Sequence, residues 1–236
     1  MFGKRLPVRR KSREEGERPF WISFSDLMSA LMVLFLVAMT VALLAVTHEI
    51  SQVEKEKAER DKEIEELMSR IKEITKDFPG ISVRGRSVDF GDRARFDTNS
   101  HKLDRQQTQL LRAVVPKILE IARDPLGQKW IKRVIVEGFA DQRGTYLHNL
   151  NLSLQRSERV LCSLLAPEKG EAVLRDEDRL LIRAMFLVGG SSFNSLKESL
   201  EESRRIELKL EFLDLGEKRQ LAREILLDMD SRCPLD

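Results

Sequence analysis

The chain has 236 residues, of which 34% are charged and 42% hydrophobic, and its 41 Lys and Arg against 39 Asp and Glu leave a net charge of +2. That length holds one membrane span plus one domain of ordinary size, and the density of charge outside the span excludes a polytopic membrane protein. A balance so close to neutral supplies no overall field for nucleic acid or an acidic substrate.

Residues 1–19 form a basic tail, with Lys4, Arg5, Arg9, Arg10, Lys11, Arg13 and Arg18 against three acids. Residues 20–47 follow as the one stretch able to cross a bilayer. From Leu27 to Val46 there are twenty residues without a formal charge, which at about 1.5 Å per residue span a hydrocarbon core of about 30 Å. The positive-inside rule puts the N-terminus of this single-pass protein in the cytoplasm and the C-terminal domain outside it. The apolar run is longer than the core of a signal peptide and no small-x-small cleavage site follows it, so a retained anchor is expected.

Asp26 lies inside this span. A carboxylate there costs about 2.5 kcal/mol or more by insertion scales, so protonation, water or a partner protein must relieve the charge. Snorkelling to headgroups is the plainer explanation, but Asp is short, and Phe20, Trp21, Ile22 and Phe24 form the interfacial anchor on its outer side. Asp26 is therefore the candidate ion carrier. Ser23, Ser25 and Ser29 are few oxygen donors, which favours a proton over sodium.

Residues 48–80 are dense in Glu and Lys and lack Gly or Pro until Pro79 and Gly80, which predicts a long helix. Steps of three and four from Ile50 meet Val53, Lys57, Arg60, Ile64, Leu67, Ile71, Ile74 and Phe78, a heptad seam interrupted in its middle. Extended backwards it meets Val46, Leu43, Met39, Leu36, Met32 and Ser29. Two readings follow: a parallel coiled coil that makes the protein a homodimer, with Asp26 flanking the seam and facing a surrounding partner, or a solvated helix packed on its own domain.

Residues 81–236 change period. Strands are expected at SVDF, KRVIVEGFA, LLIRAMFLV and RRIELKLEF, and helices over 103–123, 149–165 and 217–229, which together make an α/β (α+β) domain with helices on a small mixed sheet. Cys162 and Cys233 are the two cysteines. Outside the cytoplasm they can pair, and two buried thiols remain the alternative. Neither they nor the scattered His48, His101 and His148 stand at metal-ligand spacing, so no metal and no cofactor is expected. No paired carboxylates or Ser-His arrangement points to an enzyme.

The segment VIVEGFADQRGTYLHNLNLSLQRSERV resembles the OmpA-like peptidoglycan-binding family, with matches at Gly138, Asp141, Asn149, Leu152, Ser153 and Arg156. RFDTNSHKLD and SRRIELKL resemble the family's Phe-Asp loop and its Arg-Arg strand, so the likeness covers about residues 86–212. It implies that Asp141 meets the ammonium, and Arg156 the carboxylate, of the diaminopimelate in the peptide stem. A fixed charge of each sign suits a zwitterionic ligand. Phe139, Ala140 and Ser157 depart from the pattern, and Arg205 is expected to be structural.

The span FSDLMSALMVLFLVAM resembles that of MotB-type stator subunits, in which the Asp carries the ion. This implies two copies of the chain inside a pentamer of a MotA-like partner. The short helical connector is more similar to the ZorB family of the Zorya anti-phage systems, which implies a ZorA partner and a role in defence. A flagellar MotB-type stator and a passive peptidoglycan-binding tether are the alternatives.

Overall fold

The computed structural model describes residues 18–166, 174–219 and 233–235. The basic tail up to residue 17, and residues 220–229 of the expected closing helix, lie outside them; residues 217–219 are not helical. The fold consists of one long helix followed by an α+β domain whose mixed sheet is packed by helices.

Helix α1 runs unbroken over Arg18–Thr75. Its sequence contains no Gly, and its one Pro sits in the first turn, where the missing N–H breaks no helical hydrogen bond. Its most apolar 18-residue window reaches a mean hydropathy of 2.7, with none of that window buried within the chain. The residues divide into two compact units, Met1–Lys57 and Ala58–Asp236. The compact domain unit therefore starts inside α1, at Ala58.

That early start corrects half of the heptad seam. Ile64, Leu67 and Ile71 are buried in the domain's core. Arg60 donates from Nε to the Leu213 carbonyl at 2.8 Å, pairs through Nη2 with Asp214 at 3.1 Å, and lies over the Trp130 ring. Glu63 accepts from Trp130 Nε1 and from Lys129 Nζ. From Arg60 onward the apolar stripe thus serves the chain's own core rather than a second copy. Ile50 and Val53, upstream, are exposed.

The sheet holds five strands: β1 (Ser82–Arg84), β2 (Ser87–Asp89), β3 (Ile131–Gly138), β4 (Phe186–Gly190) and β5 (Ile206–Phe212). Their order is β1-β2-β5-β3-β4, with β3 and β4 parallel and the other pairs antiparallel. Val88, Leu208 and Val136 stand in one cross-strand row, all buried. Helices α2 (Arg105–Arg123) and α4 (Tyr146–Leu165) supply the packing layer, with the short α3 (Pro125–Trp130) against α2, and the four-residue α6 (Leu200–Ser203) leads into β5. Asp104 and Gln107 close a capping box at the start of α2, where Gln107 N donates to Asp104 Oδ1 at 2.7 Å and Asp104 N donates to Gln107 Oε1 at 2.9 Å.

LLIRAMFLV is not one strand. Its first six residues belong to helix α5 (Asp176–Met185), and only Phe186 onward enters β4. The acids Asp176, Glu177 and Asp178 in the first turn favour the helix through its dipole. Cys162, near the end of α4, is disulfide-bonded to Cys233, which fastens the C-terminus to that helix.

Candidate functional site

Two sites stand on the chain, one in each unit. On α1, Asp26 is exposed amid Leu27, Met28, Leu31, Met32 and Leu34, all exposed apolar side chains. One turn on, the Ser29 hydroxyl donates to the Ser25 carbonyl at 2.8 Å, so its proton is already used within the helix. Thr40 and Thr47 bond back in the same way. This leaves a carboxylate on an apolar helix face that no described residue covers. The Ser23 side chain lies outside the described residues.

In the domain, the loop after β3 carries Asp141 and helix α4 carries Asn149 and Arg156, and all three are buried. Gly138 ends the strand, where a Cβ would run into the Ser153 carbonyl oxygen, so glycine is what lets α4 lie against β3. Gly144, at φ +99°, turns the chain back toward Thr145, which caps α4 by accepting from His148 N at 3.3 Å. Asn149 Nδ2 donates to the Arg143 carbonyl at 2.9 Å and fixes this loop to the helix. Thr98, Asn99, Asp141, Arg143, Gly144, His148, Asn149, Leu152 and Arg156 line a cleft of about 210 Å³.

Asp141 is held by two arginines that sequence reasoning did not assign. Arg143 donates to it from N at 3.0 Å and from Nη2 at 2.7 Å, and Arg204 from Nη1 at 3.0 Å. Burial alone would raise the Asp141 carboxyl, but the hydrogen bonds from Arg143 and Arg204 outweigh it and hold the group at about 2. It is a carboxylate at any physiological pH. Arg204 is buried and anchored further by the Phe96 and Leu200 carbonyls. The signal for it was the tandem Arg204-Arg205 just before a strand. Successive side chains diverge there, and Arg205 pairs with Glu207 and stacks on Phe139 instead.

Arg156 takes a different place from a simple partner for Asp141. Its Nε donates to the Ser100 carbonyl at 3.0 Å, Nη1 to Phe139 at 2.6 Å and Nη2 to Asp97 at 3.1 Å, and its guanidinium faces the Phe96 ring. It is 0% exposed. Burial, then the neighbouring Arg204 charge, lower it to about 10, with Asp141 acting in the opposite direction, so it remains cationic at neutral pH. It is a positive charge beneath the cleft that ties three backbone segments together. Ser157, one of the departures, donates to the Gly189 carbonyl at 2.5 Å and links α4 to β4.

Among the described residues, no group of three His, Cys, Asp or Glu side chains is placed to hold a metal ion.

No protein-family model matches the chain. Among solved structures it is similar to the OmpA-like domain of a Francisella tularensis protein (18% identical, 57% of this chain and 82% of that one, TM-score 0.35). It is also similar to the cell wall anchor of the T6SS from Pseudomonas aeruginosa (21%, 61% and 96%, TM-score 0.39) and to a MotB-like protein from Desulfovibrio vulgaris (15%, 65% and 94%, TM-score 0.38). Among curated proteins it is 42% identical over 230 residues to the Zorya protein ZorB of Escherichia coli, covering 95% of this chain and 93% of that one. An identity of that level, extending through the apolar helix and the domain alike, makes the chain a member of the ZorB family.

Proposed function

We propose that the chain is the peptidoglycan-anchored, ion-carrying subunit of an inner-membrane stator in anti-phage defence. Two copies would sit inside a pentamer of a MotA-like ZorA partner. The observation that carries this reading is the lone carboxylate of Asp26 on an exposed apolar helix, which needs a partner surface or a proton to be tolerated in a bilayer. Identity to a ZorB protein over 95% of the chain supports the defence setting.

In this account the N-terminus is cytoplasmic and the domain periplasmic. A proton enters from the periplasm, neutralises Asp26 and leaves to the cytoplasm. Each charge moved through 100 mV releases about 2.3 kcal/mol, enough to bias a small difference in helix packing at each step. The cleft around Asp141, Asn149 and Arg156 holds the domain to the wall, so the partner ring turns about a fixed axle.

The test is phage protection by cells carrying the complete defence system with Asp26→Asn, with membrane assembly of the variant verified. Loss of protection supports the carrier role. Retained protection contradicts it and leaves a passive wall tether, for which Asp26 is dispensable.

A further inference from the structure

The hydroxyl side chains of the apolar part of α1 are not scattered around it. Between Leu27 and His48 they are Ser29, Thr40 and Thr47. At about 100° per residue all three fall within about 60° of Asp26 around the helix axis, an arrangement that random placement would give about once in 27 trials. His48, at the outer end, stands about 40° from Asp26 on the same side. Between Ser29 and Thr40 that side carries only Ala30, Val33 and Val37. The bulky Met28, Met32, Phe35 and Met39 all stand on the other side. The apolar seam through Met32, Leu36, Met39 and Leu43 lies about 110° round from Asp26. A second copy packed on that seam leaves the polar side to a surrounding partner.

Each of these hydroxyls is already oriented by the helix. Ser29 donates to the Ser25 carbonyl and Thr40 to the Val37 carbonyl, both at 2.8 Å, while Thr47 donates to the Leu43 and Leu44 carbonyls at 3.0 Å. A hydroxyl has one proton and two acceptor lone pairs, so with the proton bonded back to the helix the oxygen offers only acceptors to whatever lies outside. That chemistry suits a hydrated proton or water and rejects an anion. Thr47 stands about 31 Å along the axis from Asp26, a distance over which an unsolvated charge meets a prohibitive cost among apolar side chains. Thr40 divides the interval, about 10 Å from Thr47 and about 16 Å from Ser29.

We propose that the ion reaches Asp26 from the outer end along this side of α1, and that Thr40 is the positioning residue of the route. Its oxygen holds a hydrated proton between a mouth at Thr47 and His48 and the carboxylate at the inner end. The proposal rests on the reading of Asp26 as the ion carrier. Ala30, Val33 and Val37 leave room for water against the partner's helices, whereas the Met and Phe side chains opposite fill space. Polar groups set at intervals along an otherwise apolar pore are how a narrow path keeps an ion solvated without trapping it.

The experiment measures proton influx with a cytoplasmic pH reporter in cells co-producing the full chain and its MotA-like partner. Thr40→Val keeps the shape and removes the oxygen, and it is expected to cut the flux about tenfold, as the loss of one hydrogen bond to a charged species would. Thr40→Ser, which keeps the oxygen, should retain most of the flux. Flux through Thr40→Val equal to that of wild type overturns the role of Thr40. No flux in wild type, or equal flux in wild type and Asp26→Asn, overturns the carrier reading and the proposal with it. Thiol labelling tests the route without relying on flux, since both native cysteines are held in a disulfide. In the assembled complex, Val37→Cys and Thr40→Cys should react with externally added silver ion far faster than Met39→Cys. Equal rates at the three positions overturn the route.

Discussion

Arg204 Nη1 donates to Asp141 Oδ2 at 3.0 Å across 63 residues of sequence, joining the end of the chain's last described helix to the loop after β3. Both side chains are buried. Asp141 is the carboxylate that Arg204 and Arg143 share, with the Arg156 charge nearby. Removing one partner of such a buried pair leaves an uncompensated charge and typically costs about 3–5 kcal/mol. Asp141→Ala is therefore expected to destabilise the domain by about 3 kcal/mol in denaturant titration, whereas Arg143→Ala, an exposed partner, should cost less than about 1 kcal/mol. Equal losses from the two variants would contradict this division of roles.

The acid limb of stability follows from the same pair. Asp141 titrates at about 2 in the folded chain against an ordinary 3.8. A carboxyl depressed on folding contributes stability that is complete above its unfolded value and lost as the pH falls through the folded one. The contribution, about 2 kcal/mol, should be present above pH 4 and disappear toward pH 2. Comparing wild type with Asp141→Asn by denaturant titration should show their difference in stability shrink across that window. A difference that stays constant would contradict the assignment.

The lower third of α1 belongs to the domain's core. Leu67 is 0% exposed there, whereas Val53 is exposed four turns upstream. Leu67→Ala should lower the domain's stability by about 2–5 kcal/mol through lost burial and the cavity left behind. Val53→Ala should change it by no more than about 0.5 kcal/mol. Near-ultraviolet circular dichroism during thermal unfolding in detergent measures both. Equal effects would mean that the stripe packs elsewhere.

The bond between Cys162 and Cys233 closes a loop with a sequence separation of 71. A loop of that length restricts the unfolded chain enough that Cys162→Ser with Cys233→Ser, or reduction of the wild type, should lower stability by about 2–4 kcal/mol. Reduction of the double variant should have no further effect, which a paired melt with and without reductant reads directly.

What was legible in the sequence had a local cause. Asp26 is visible because a charge interrupts an apolar run, and Asp141, Asn149 and Arg156 because their segment resembles the OmpA-like family's strand, turn and helix motif. Arg204 was not assigned because its partner lies 63 residues away and adjacent arginines give no sign of which one turns inward. Arg143 gives no such signal, because a loop arginine has the same appearance whether it is solvated or aimed. The heptad stripe through Ile64, Leu67 and Ile71 has one period for a second copy and for the chain's own core, and periodicity does not name the partner. LLIRAMFLV failed for a related reason: a short apolar run suits a buried strand and the inner face of a helix equally, and here it serves both in succession.

The carrier role of Asp26 is tested most directly by proton influx, followed with a cytoplasmic pH reporter in cells co-producing the chain with its MotA-like partner under an imposed membrane potential. Wild type should acidify the cytoplasm on activation, Asp26→Glu should retain part of that flux, and Asp26→Asn, assembled to the same level, should show none. Equal acidification by wild type and Asp26→Asn would contradict the account.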